Sequence, residues 1–112
     1  MNETSLQKIE NLTENDLSVD NFDTIKVYIE DSHLMRRLIR HKPSGELYFY
    51  EFKEEIDYEN GNDPQYRTYI PVENEERSDE INKLDSFGIL SISPRIIKDW
   101  LADDTRTIKW IR

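Results

Sequence analysis

Two histidines, His33 and His41, are the natural candidates for proton transfer or metal ligation in a chain that contains no cysteine. Eight residues apart on one extended segment, they share a pleat face yet lie ~26 Å apart, too far to serve one small site. Each reads as a partly exposed strand-end residue rather than a base or a ligand. The lack of cysteine excludes a thiolate nucleophile, a disulfide framework and Cys-based zinc or iron–sulfur chemistry. With three glycines in the whole chain, no phosphate-cradling loop or dinucleotide fingerprint forms, and no HExxH is present. The run from Asp57 to Asp63 offers carboxylate oxygens, but it lacks the glycine at the sixth place and the acid at the twelfth that a calcium loop needs. Paired-acid catalysis needs a pocket that separates two carboxyl pKa values, and the acids here cluster in stretches that read as solvated. The expectation is therefore no catalytic residue, no metal site and no cofactor.

Charge is more informative than chemistry. Arg36, Arg37, Arg40 and Lys42 form a basic run free of acid. From Glu46 to Asp63 come seven acids (Glu46, Glu51, Glu54, Glu55, Asp57, Glu59, Asp63) against Lys53, a net charge of −6. A second block, Glu73, Glu75, Glu76, Asp79 and Glu80, is opposed only by Arg77. Cross-strand pairing within a hairpin accounts for the first acids. It does not account for Glu54 to Asp63, which outruns any basic partner. Tyr50, Tyr58, Tyr66 and Tyr69 are interleaved with these acids, and acid with tyrosine suits a surface that engages an Arg/Lys-rich protein. Glu54, Glu55, Asp57, Tyr58, Glu59, Asp63, Glu73, Glu75 and Glu76 are the expected partner-binding residues. Tyr50 and Tyr69 lie in predicted strands and read as core.

The element that positions these residues is a hairpin over 33–53, HLMRRLIRHKPSGELYFYEFK. Pro43, Ser44 and Gly45 supply turn chemistry between Leu34–Arg40 and Glu46–Phe52, two runs rich in strand formers. Thr24 to Glu30 alternates and predicts a strand with Ile25, Val27 and Ile29 on its buried face. Residues 54–64 read as a loop, and Gln65 to Ile70 as a fourth strand ended by Pro71. Residues 73–85 predict a short helix with Ile81 and Leu84 facing inward, stopped by Gly88. Ser93-Pro94 predicts a helix start, with Ile96, Ile97, Trp100 and Leu101 as its apolar stripe. Thr105 to Arg112 alternates and closes the sheet. The first 23 residues hold at most one or two helical turns, around Leu6 and Ile9, and are expected to pack loosely.

The whole is one α+β domain of 112 residues: a mostly antiparallel sheet of about four to five strands built on the hairpin, with two or three short helices. Its hydrophobic fraction of 36% against 35% charged residues implies a small core, and its 12 aromatics argue against disorder. No signal segment or spanning run is evident, so a cytoplasmic protein is expected. A net charge of −9 repels nucleic acid and anionic membrane and favours a basic protein partner. A small acidic inhibitor fits this best, an immunity protein for a toxin nuclease or a phage-type nucleic-acid mimic. One rival is an interaction module whose acidity serves solubility. The other is an anion-binding protein or enzyme using the hairpin arginines. The inhibitor predicts those arginines paired internally, and an anion site predicts them clustered without acids. A self-paired sheet edge leaves a homodimer open.

Overall fold

Six strands pair in strict sequence order, every neighbour antiparallel, to form one meander. The computed structural model describes residues 17, 19–55, 63–100 and 106–111. A 3-10 turn at Val19–Asn21 leads into β1 (Phe22–Glu30), followed by β2 (Leu34–His41), β3 (Leu47–Glu54) and β4 (Gln65–Val72). Two short helices follow, α1 (Glu75–Asn82) and α2 (Ser86–Leu90), before β5 (Arg95–Trp100) and β6 (Arg106–Ile111) complete the sheet. Among the described residues no helix is long and apolar enough to cross a membrane.

The expected hairpin is β2–β3, with Ile39 opposite Tyr48 and Arg36 opposite Glu51. Gly45 takes φ 75°, the left-handed value that a side chain resists, and its N–H donates to the His41 carbonyl at 2.7 Å. The helix expected over 73–85 is α1. Asn74 caps it by accepting the Arg77 N–H at 2.9 Å, and Glu75 and Glu76 lie at its positive end.

Four expectations fail for identifiable reasons. The segment after Ser93-Pro94 is a strand, β5, and not a helix, and this raises the count from four or five strands to six. Its β-branched Ile96 and Ile97 pair with Tyr69 and Thr68 of β4, Ile96 fully buried on one face and Ile97 half-buried on the other. An adjacent apolar pair that mimics a helix stripe is here a strand covered on both sides. Gly88 does not stop α1. It lies inside α2, whose cap Asp85 accepts the Gly88 N–H at 2.7 Å, and Leu84 lies exposed between the two helices. In β1 the expected buried face is not kept, since Ile25 and Val27 are 45% and 47% exposed while only Ile29 of that face is half-buried. Register shifts between Thr24 and Lys26 and between Val27 and Ile29 turn this edge strand, which suits an edge that must not recruit another chain. His41 is buried, its Nδ1 2.9 Å from Ser44 Oγ and its ring against Phe22, whereas His33 is exposed beside Glu54 as expected of a strand end. The Leu6–Ile9 turns lie outside the described residues.

The sheet has two unlike faces. On one, Leu38, Phe49, Ile70 and Val72 pack against Ile81 of α1 and Ile89 of α2. On the other, Leu17, Ile39, Tyr48, Tyr69 and Ile96 form a second cluster joined by Phe22, Tyr50 and Ile108, with no helix of the described residues across it.

Candidate functional site

The expected partner-binding residues divide into two groups. Glu54, Glu55 and Asp63 sit where β3 leaves the sheet and β4 enters it, and the Glu55 N–H donates to the Pro64 carbonyl at 3.0 Å. Glu73, Glu75 and Glu76 lie beyond the other end of β4. Eight strand residues separate the groups, a span of roughly 25 Å. Asp57, Tyr58 and Glu59 lie outside the described residues.

Exposure differs within each group. Glu54 is drawn inward by His33 Nδ1 at 2.9 Å and by Gln65 Nε2 at 3.2 Å. Asp63 is half-buried, and Glu55 is exposed. Glu73 and Glu76 are exposed, and among the described residues neither meets a cation. Glu75 lies 3.8 Å from Lys26 Nζ, which bonds Asp79 Oδ1 at 3.0 Å. Asp79 is also the acceptor for the Tyr28 hydroxyl at 2.6 Å. The Tyr28 hydroxyl, and then Lys26, hold the Asp79 carboxyl below the usual carboxylate range. Burial and the Asp79 carboxylate push the Tyr28 phenol up to about 12. Asp79 thus anchors α1 to β1, and the acids left to face outward are those of the first helical turn.

Every hairpin arginine has a carboxylate of its own. Arg36 Nε donates to Glu51 Oε2 at 2.9 Å, with both side chains buried. Arg37 donates to Glu30 at 2.6 Å and Arg40 to Asp23 at 3.0 Å. Only the first is the cross-strand pair within the hairpin; the other two reach β1. Among the described residues, no group of three or more acidic or histidine side chains is placed to hold a metal ion.

The face away from α1 and α2 carries a concavity that the sequence gives little sign of. Its volume is about 820 Å³, within the range of ordinary ligand sites. Two cross-strand rows supply its floor: Arg37, Tyr50 and Tyr69 from one, and Met35, Arg67, Lys98 and Ile108 from the next, with Ile96 and Phe52 of the same rows buried beneath. The Arg67 guanidinium lies 5.0 Å over the Phe52 ring and donates to Gln65 Oε1 at 3.0 Å. Burial pushes the Tyr50 and Tyr69 phenols up, and Arg67 partly opposes this at both. The signal for this floor was the alternation of Arg67 and Tyr69 in β4. Lys98 was hidden by the helix expected for its segment.

Asp99 borders the concavity, but the pleat turns its side chain toward its cross-strand neighbours Tyr66 and Thr107. Burial pushes its carboxyl up, opposed by Lys109, and its Oδ1 has no hydrogen-bond partner. Because the folded value lies above the ordinary 3.8, the charged form disfavours folding, and this penalty sets in as pH rises above the ordinary value and is complete once pH has passed the raised one. Asp99→Asn is expected to stabilise the chain at pH 7 by about 0.5–1 kcal/mol, allowing for solvent screening. Below the ordinary carboxyl value the gain should vanish. Urea unfolding of both proteins at pH 7 and pH 3.5 checks this, and a gain that persisted at the lower pH would show that ionisation is not its source.

Compared with protein-family models, with curated proteins and with solved structures, the chain matches none.

Proposed function

We propose that this chain is a small acidic binding protein that covers a basic macromolecular surface, as an immunity protein covers a toxin nuclease or a nucleic-acid mimic covers a DNA-binding enzyme. The observation that carries this reading is the internal pairing of Arg36, Arg37 and Arg40, each within 3.0 Å of its own carboxylate. With these arginines matched, the excess negative charge is left at Glu55, Glu73 and Glu76, exposed at the two ends of β4. Carboxylates arranged in this way steer a cationic partner and repel nucleic acid itself. The protein acts by occupancy rather than turnover, in the cytoplasm, without cofactor.

The test is capture of partners from the lysate of the host cell by the tagged full-length chain, at low and high salt, with identification by mass spectrometry. One stoichiometric basic protein, captured more weakly as salt rises, is the expected result. Recovery of nothing at either salt concentration, or of a partner that is itself acidic, would refute the reading.

A further inference from the structure

In a chain of net charge −9, the concavity on the face away from α1 and α2 is a local exception. Arg37, Arg67 and Lys98 all present side chains on its face of the sheet; Arg37 is paired with Glu30 at 2.6 Å, and the acid in the lining, Asp99, turns its carboxylate to the opposite face, so the uncompensated cations are Arg67 and Lys98. Arg67 and Lys98 are direct cross-strand partners. Like charges set opposite each other in a sheet repel, and among the described residues no carboxylate bonds either. Arg37 adds a buried Nε–H that has no acceptor. Around these cations the floor is aromatic: the Tyr50 and Tyr69 rings lie 5.1 Å apart and Phe52 underlies Arg67.

We propose that this concavity is a binding site for a small ring-bearing organic monoanion, its acidic head between Arg67 and Lys98 and its apolar body against Tyr50 and Tyr69. An anion there relieves the repulsion of the opposed pair, and its head takes charge-assisted hydrogen bonds from two cations that, among the described residues, bond no carboxylate, Arg67 being held only by neutral partners, Gln65 and Tyr50. The apolar body covers the part of the half-buried Tyr50 ring that otherwise faces water and extends the cluster to which Tyr69 belongs. Charge selects against larger anions: the exposed acids elsewhere repel a polyanion such as nucleic acid but cost a single compact charge far less. Of the hairpin arginines only Arg37 takes part, so this site is separate from the acidic ends of β4, and the inference does not depend on the binding reading above.

The probe is anilinonaphthalene sulfonate, an aromatic monoanion that fluoresces on leaving water, with phenylnaphthylamine as its uncharged analogue. Titrated into the full chain at low ionic strength, the sulfonate is expected to saturate at one site and the neutral analogue to bind ~10-fold more weakly. Lys98→Gln and Arg67→Gln should each weaken the sulfonate ~10-fold, whereas Glu76→Gln, far from the floor, should leave it unchanged. Among the described residues Lys98 makes no stack on a ring of the kind Arg67 makes on Phe52, so its variant keeps the test decisive even where Arg67→Gln fails to fold. Amide shifts on binding should centre on β3, β4 and β5 around Tyr50 and Tyr69. Absence of saturable binding, equal affinity for the neutral analogue, or a Lys98→Gln variant that binds like the parent would overturn the proposal.

Discussion

Arg36→Ala is expected to cost about 3–5 kcal/mol of unfolding free energy, a large part of the roughly 5–15 kcal/mol that a domain of this size possesses. Arg36 is 5% exposed and so is Glu51. Besides its bond to Glu51, the guanidinium donates through Nη1 to the carbonyls of Asn82 at 3.0 Å and Leu84 at 2.8 Å. Those carbonyls belong to the end of α1 and the link into α2, where helix geometry leaves them without partners of their own. Ser86 Oγ reaches the same Glu51 oxygen at 3.4 Å. One side chain therefore joins the hairpin to the helical layer, and its removal strands a buried carboxylate together with two part-buried acceptors. Chemical denaturation measures the loss. Replacing both members, as Arg36→Met with Glu51→Leu, should recover much of the carboxylate's share, because no charge is then left buried without a counterion. The helix-end carbonyls would still lack their donor. If Arg36→Ala cost less than about 1 kcal/mol, the pair would not be the link assigned to it.

Phe49→Ala is expected to cost a similar amount, about 3–5 kcal/mol, through a cavity rather than a charge. Phe49 is fully buried at the centre of the helix-covered cluster, among Leu38, Ile70, Val72, Ile81 and Ile89, with the Tyr28 ring 5.8 Å away. The sheet below and the helices above are fixed by separate hydrogen bonds, so the site cannot collapse onto the space left by the ring. Phe87, 82% exposed on α2, is the internal comparison. Phe87→Ala should change stability by no more than about 0.5 kcal/mol, although the same atoms are removed. Equal losses at the two positions would mean that the helices do not pack on this face as described.

The hairpin was legible because turn residues at 43–45 have strand formers on both sides, with a basic run before the turn and acids after it. Its register was not legible, because a loop of this length does not fix it; in the structure Arg36 stands opposite Glu51, whereas Arg37 and Arg40 reach acids of β1. The segment 95–100 was not legible, because Ile96 and Ile97 suit a helix stripe and a doubly covered strand equally, and only the open edge of β4 decides between them. β1 was recognised as a strand, but its buried face was misread, since its two register shifts cancel the alternation on which the reading relied. Acidic surplus was plain from composition. Its division between the two ends of β4 was hidden because only nine residues separate Asp63 from Glu73, eight of them a strand that carries the chain across the sheet. The cationic floor was the least legible feature. Arg37, Arg67 and Lys98 are far apart in sequence, and the pairings of β2 through β5 bring them onto one face.

The most direct test of the central claim compares capture by the parent chain with capture by the triple variant Glu73→Gln, Glu75→Gln, Glu76→Gln. These residues are exposed and make no buried contact, so melting temperatures should agree within a few degrees. If the acidic first turn of α1 belongs to the surface that covers a basic partner, the variant should lose that partner at moderate salt while the parent retains it, an affinity loss of about 10-fold or more. Equal recovery of the same partner by both proteins, with the same salt dependence, would contradict the account.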